Sequence, residues 1–130
     1  SYDLPELRKS LHLMDHRGPD YQGDLVFSNK LYMGHNRLSI IDLNPRSHQP
    51  FSSNNYHIIF NGEVYNYKEL IKDHHLNVIT TSDTEVVLEM FKKYDEDCLK
   101  FFNGMFAFVI YNETSNDIFI ARDRLGIKPL

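Results

Sequence analysis

His57-Ile58-Ile59-Phe60-Asn61-Gly62-Glu63-Val64-Tyr65-Asn66 is the stretch on which the reading of this chain turns. An extended apolar run, His57 to Phe60, meets Asn-Gly, the dipeptide most at home in positive-φ turns. A carboxylate follows at once, and then a helix-like segment from Tyr67 to His74. A strand that ends in a side-chain amide, a flexible backbone N–H and an acid offers donors to a developing oxyanion and an acceptor to an ammonium group. The same residues, taken alone, also make an ordinary strand-to-helix turn, so their surroundings have to decide.

Downstream, Asp83 to Tyr94 carries Val86, Val87, Met90 and Phe91 at helical core spacing, with Ser82 or Asp83 placed to cap the helix. Asp95 to Phe102 reads as a further short helix. Met105 to Tyr111 and Asp117 to Arg122 flank the polar Asn112 to Asn116 as a hairpin. Upstream, Pro5 to Met14 reads as a short helix with Asp3 as its cap and Leu4, Leu7, Leu11 and Met14 on one face. Asp24 to Phe27 and Leu31 to Gly34 form a hairpin around Ser28-Asn29-Lys30, Leu38 to Leu43 is a third extended piece, and Asn44 to Asn55 reads as loop. Strands and helices mix without regular βαβ alternation, which predicts an α+β fold with antiparallel sheets.

The chain has 130 residues, which bounds it to one domain, 1–130. Its 42% hydrophobic content, with nine Phe and eight Tyr, suits a packed core with aromatic-rich strands. There is no apolar run long enough to cross a bilayer and no signal-peptide pattern, so no membrane partner is expected. A formal net charge of −4 argues against nucleic acid as a partner. A single cysteine excludes an internal disulfide and fits a reducing, cytoplasmic compartment. Seven histidines raise the question of a metal, but the His74-His75 neighbours point in different directions and no carboxylate or cysteine spacing completes a ligand set, so no metal site is expected.

Individual candidates each carry a plain alternative. Arg37, set between extended stretches, has the planar fork that suits a carboxylate, and also reads as a surface arginine on a strand. Asp83 opens the long helix, where capping is a sufficient role, and Glu85 supports the first helical turn. Cys98, with apolar neighbours in a helical context, reads as a small core residue.

Several ordered motifs accompany Asn61-Gly62-Glu63-Val64-Tyr65-Asn66: His16-Arg17-Gly18-Pro19-Asp20, Gly34-His35-Asn36-Arg37-Leu38-Ser39-Ile40-Ile41-Asp42-Leu43, Ser82-Asp83-Thr84-Glu85, Asn103-Gly104-Met105-Phe106-Ala107-Phe108 and Ala121-Arg122-Asp123-Arg124-Leu125-Gly126-Ile127-Lys128-Pro129-Leu130. Together, from Leu11 onward, they resemble the glutaminase domain of glutamine-hydrolysing asparagine synthetase, a class II glutamine amidotransferase of the N-terminal-nucleophile type. The resemblance implies a four-layer αββα sandwich, here incomplete. It implies that Arg37 holds the α-carboxylate of glutamine, that Asp83 and Glu63 receive its α-ammonium, and that Asn61 and Gly62 form the oxyanion hole. His16, Arg17, Asp20 and His35 lie inside its motifs with roles that read as structural.

The family's nucleophile is an N-terminal cysteine, and this chain begins Ser1-Tyr2-Asp3 and leads almost at once into a helix. Ser1 therefore does not match it, nor does Cys98, and the expectation is that the cysteine lies upstream and that this polypeptide is inactive by itself. The resemblance further implies a separate synthetase domain as partner, with its ATP and Mg²⁺, and nothing in these 130 residues matches its pyrophosphate loop. A missing strand would leave a sheet edge open to pairing, which leaves room for a homodimer. Two other readings stand beside the first: a related amidotransferase of surface-polysaccharide assembly, and a non-catalytic glutamine-binding module.

Overall fold

The structure, a computed structural model, describes residues 3–28, 30–37 and 48–130. Helix α1 (Leu4–His12) opens under an Asp3 cap, whose carboxylate accepts the N–H of Glu6. A 3₁₀ turn (Asp15–Arg17) leads to the antiparallel pair β1 (Tyr21–Phe27) and β2 (Leu31–Arg37). Strands β3 (Phe51–Ser53), β4 (Tyr56–Val64), β5 (Gly104–Asn112) and β6 (Asp117–Arg122) form a second antiparallel sheet in that spatial order. Helices α2 (Tyr67–Asp73) and α3 (Asp83–Tyr94) and a 3₁₀ helix (Asp95–Lys100) connect β4 to β5.

These elements stack in four layers, helix on sheet on sheet on helix. Helix α1 lies on the small sheet, tied by Asn36 Nδ2 donating to the Leu11 carbonyl at 2.8 Å and by an Arg8–Asp24 ion pair at 2.7 Å. The small sheet faces the large one through the Phe27 ring, which sits 4.5 Å from His57 and 4.9 Å from Tyr111. On the far side, α3 buries Val86, Val87 and Met90 against Ile58, Phe60, Phe108 and Ile110. Alternation decides which face each strand residue takes: Ile58 and Phe60 go to the helices, while His57 turns toward the small sheet.

Several expectations change at this point. The Asn61-Gly62 step does not end the strand. β4 runs on to Val64, held in register by Gly62↔Phe106, Glu63↔Met105 and Val64↔Gly104. Gly62 takes its positive φ of 146° inside the strand, where a Cβ would lie 2.1 Å from the Met105 carbonyl oxygen. Local dipeptide preference predicted a turn, and the long ladder with β5 overrode it. The predicted loop Asn44 to Asn55 contains β3, too short to show as a pattern, and the hairpin strands extend back to Tyr21 and on to Arg37. The extended piece Leu38 to Leu43 lies outside the described residues. The cap of α3 is Ser82, whose Oγ accepts the N–H of Thr84 at 3.2 Å, which leaves the Asp83 carboxylate for other partners.

Glu85 is buried and anchors the approach to α3: it accepts the N–H groups of Ile79 (2.9 Å) and Thr80 (2.7 Å) and the Thr80 hydroxyl. Removing the acceptor strands the two Thr80 donors in the interior and the part-buried Ile79 N–H beside them, so Glu85→Ala is expected to lower the unfolding free energy by about 2–4 kcal/mol. Urea denaturation measures it, and a change below about 0.5 kcal/mol would show that the segment before α3 is held by other means.

Candidate functional site

β3 pairs with β4 only as far as Phe51↔Ile58. Beyond that point the same edge of β4 carries the backbone N–H groups of Phe60, Gly62 and Val64, because the groups that face one neighbour recur at every second residue. Two of the three are taken up by side chains. Phe60 N donates to Gln49 Oε1 at 2.6 Å, and Val64 N donates to Asp83 Oδ2 at 2.9 Å. On the opposite edge, the N–H and the carbonyl of Phe106 are both engaged by Asp123. Its register partner Gly62 thus belongs to the closer, non-hydrogen-bonded type of pair, and the Gly62 N–H is directed away from β5. It faces a cleft of about 790 Å³ whose lining includes Arg37, Gln49, Asn61, Gly62, Glu63 and Asp83.

The acidic end of this cleft lies at the start of α3. Asp83 is buried, and its carboxyl is pushed up to about 6, first by burial and also by the neighbouring Glu63 charge, while the Val64 N–H pulls the other way. Two carboxylates this close repel each other unless a cation lies between them. The first turn of a helix moderates the cost, since its free N–H groups favour negative charge. The basic end is Arg37, at the last residue of β2 and buried. Burial first, and then the Arg37 charge, push the His35 imidazole down to about 4, so His35 stays neutral near pH 7. The cleft thus carries opposite charge and a strand-edge N–H on its walls.

The chain's last segment closes one side. The Asp123 carboxylate accepts the N–H groups of Leu125, Ile127 and Lys128 as well as that of Phe106. These donors, led by Lys128, hold it below the usual carboxylate range. Arg122 donates to the Gly126 and Lys128 carbonyls at 2.6 Å each. The loop so folded sets Lys128 and Pro129 against the cleft.

All five residues singled out from the sequence, Arg37, Asn61, Gly62, Glu63 and Asp83, line this one cleft. His16, Arg17 and His35 line it too, and Asp20 does not. Cys98 is fully buried in the helix-side core, its thiol pushed up to about 12 by burial, and it is not part of the cleft wall. Ser1 lies outside the described residues. Gln49, Lys128 and Pro129 escaped the sequence reading. Gln49 sat in a stretch rich in Asn, Ser and Pro that reads as solvated loop, and nothing local signals that its amide is buried. Lys128-Pro129 lay in a quoted motif but had no chemical partner visible there. Among the described residues, no group of three His, Cys, Asp or Glu side chains gathers as a metal ion requires, and no helix is long and apolar enough to cross a membrane. The histidine neighbour His74 hydrogen-bonds the Tyr94 hydroxyl at 2.8 Å and packs on Phe101.

Known proteins resemble this chain along nearly its whole length. The family described as glutamine amidotransferase domain matches residues 2–130. The chain is 43% identical to asparagine synthetase (glutamine-hydrolyzing) 1 of Bacillus subtilis, over 98% of its own length and 21% of that protein. It is 39% identical to asparagine synthetase (glutamine-hydrolyzing) 3 of the same organism, covering 87% of this chain and 19% of the relative. It is also 40% identical to the amidase chry2 of Gibberella zeae, over 98% of this chain and 20% of that one. The chain therefore spans about a fifth of the length of these relatives.

The raised carboxyl of Asp83 has a consequence for stability. In the unfolded chain it titrates near 3.8, and in the fold near 6, so the proton is bound more tightly in the native state. Its contribution is then fully present below pH 4 and is lost as pH rises through 6. Asp83→Asn keeps an acceptor for the Val64 N–H and removes the titration, and is expected to be more stable than wild type at pH 7 by on the order of 2 kcal/mol. Urea melts at pH 4 and pH 7 measure it; an equal difference at both would mean that the carboxyl titrates at its ordinary value.

Proposed function

The chain belongs to the glutamine amidotransferase domain family, and on that premise we propose that its cleft receives glutamine for an amidotransferase of the asparagine synthetase type. The observation that carries the reading is the common wall shared by Arg37, Asn61, Gly62, Glu63 and Asp83. Glutamine has three groups to be recognised at fixed separations. Arg37 takes the α-carboxylate with its planar fork. Asp83 and Glu63 take the α-ammonium, which supplies the cation their mutual repulsion calls for. The side-chain carbonyl oxygen goes to the Asn61 amide and the Gly62 N–H.

The chemistry follows from that pose. A thiolate attacks the side-chain carbonyl carbon, and the carbonyl oxygen gains negative charge. Asn61 and Gly62 are aimed at that charge, and each such donor is worth about 10²–10³ in rate in other hydrolases. The C–N bond breaks as the nitrogen takes up a proton and leaves as ammonia. The γ-glutamyl thioester that remains is hydrolysed by water to glutamate and the free thiol. Cys98 does not supply the thiolate: it is buried away from the cleft and its thiol stays protonated. The described residues bring no other thiol, and the polypeptide by itself binds glutamine without releasing glutamate. On this reading the ammonia would go to a separate synthetase domain of a longer protein, where ATP and Mg²⁺ would serve to activate the β-carboxylate of aspartate. The wall described here is concerned with the nitrogen donor only, and the acceptor is chosen elsewhere.

Isothermal titration tests the binding. Wild type is expected to bind glutamine, and Arg37→Ala and Asp83→Ala are each expected to weaken it by about 100-fold or more, the loss of a charged contact in a buried site. Affinity is expected to fall as pH drops through about 6, because protonated Asp83 no longer attracts the ammonium. Unchanged affinity in both variants removes the assignment, and glutamate release by this polypeptide removes the statement that it is inactive by itself.

A further inference from the structure

We infer that Gln49 is a positioning residue that fixes the separation between the amide-reading and ammonium-reading ends of the cleft, and so sets its preference for the glutamine side chain. The inference rests on the reading above, that the cleft takes glutamine. Gln49 is 5% exposed and its two amide atoms point two ways. Oε1 accepts the Phe60 N–H at 2.6 Å, and Nε2 donates to Thr84 Oγ1 at 3.3 Å. The Phe60 contact fixes the amide's orientation, since only its oxygen can accept. Phe60 immediately precedes Asn61, and Thr84 immediately follows Asp83.

The second link between the same two elements is Asp83 itself, which accepts the N–H of Val64. Asn61, Gly62 and Glu63 are therefore bracketed, at 60 and at 64, by two ties to one helical turn. The Gln49 tie stands where a longer β3 would otherwise pair with β4. The β5 ladder holds β4 on its other edge but says nothing about its distance from α3. When the Gln49 bridge is cut, apolar packing still holds β4 on α3, but the one directional tie left beside the cleft is that of Val64, and the Asn61–Gly62 end can shift relative to Asp83. A ligand read only at its α-groups is insensitive to that shift, and a ligand read at both ends is not.

The test compares L-glutamine with L-norvaline, which has the same α-groups and a side chain without the amide. Both are titrated calorimetrically into wild type, Gln49→Met and Thr84→Val. Gln49→Met keeps the length and removes both hydrogen bonds, and the glutamine-to-norvaline affinity ratio is expected to fall about tenfold, with norvaline affinity changed less than about twofold. Thr84→Val keeps the Phe60 contact and removes only the helix end of the bridge, and a fall of about threefold is expected. An unchanged ratio in Gln49→Met overturns the inference, whether both affinities hold or both fall together, since the latter marks a merely structural role. If Gln49→Met does not fold, Thr84→Val carries the test, and an unchanged ratio there overturns it. A wild type that does not prefer glutamine to norvaline overturns the glutamine reading itself, and is seen before any variant is compared.

Discussion

The structure depends on a close approach of two strands. At Gly62 the backbone of β4 runs so near β5 that a Cβ would lie 2.1 Å from the Met105 oxygen and 2.6 Å from Phe106 Cα. Gly104 meets the same limit from the other strand, its Cβ position falling 2.1 Å from the Glu63 oxygen. With a side chain at either place the ladder would part along the stretch where, among the described residues, β4 has no strand on its other edge. β4 instead stays straight enough to present Asn61 and Glu63 toward the cleft while Phe60 remains in the aromatic core.

The second constraint is electrostatic. Arg37, Asp83 and Glu85 are all buried, which is expensive for charged groups without partners. Glu85 is satisfied inside the protein by backbone donors and a hydroxyl. Asp83 accepts from the Val64 N–H of β4, with help from the N–H groups at the helix start, but burial and then the like-charged Glu63 outweigh these donors and raise its proton affinity. One carboxylate of the α3 start thus serves the fold, and the one two residues earlier is left energetically exposed to whatever enters the cleft. That division of labour follows from helix geometry: residues 83 and 85 point in different directions about the axis, so one turn addresses both the preceding loop and the cleft.

Much of this was legible in the residues, for identifiable reasons. α3 appears in the sequence with its full span because its apolar spacing, cap and length all agree. The last hairpin is legible because alternating aromatic and β-branched residues flank a polar turn. The charged cleft residues stand out because each lies at an element boundary with a group suited to part of an amino acid. Position 62 misled, because Asn-Gly reports a backbone preference and not where that preference is used, and a strand position pressed against its neighbour's backbone can absorb a positive φ. β3 and Gln49 were hidden for another reason. Three residues carry no periodicity, and the importance of a glutamine amide comes wholly from two residues far from it in sequence.

The state of Cys98 also bears on how thiols in a larger protein would behave. It is the chain's sole cysteine, it is sealed in the α3-side core, and its thiol resists ionisation. Alkylating and oxidising reagents act on the thiolate, so this domain contributes a silent background to them. In any longer polypeptide that contains it, a thiol that reacts rapidly near neutral pH belongs to another segment. Protection of that thiol by glutamine would then be a direct optical or mass-spectrometric report of occupancy of the cleft.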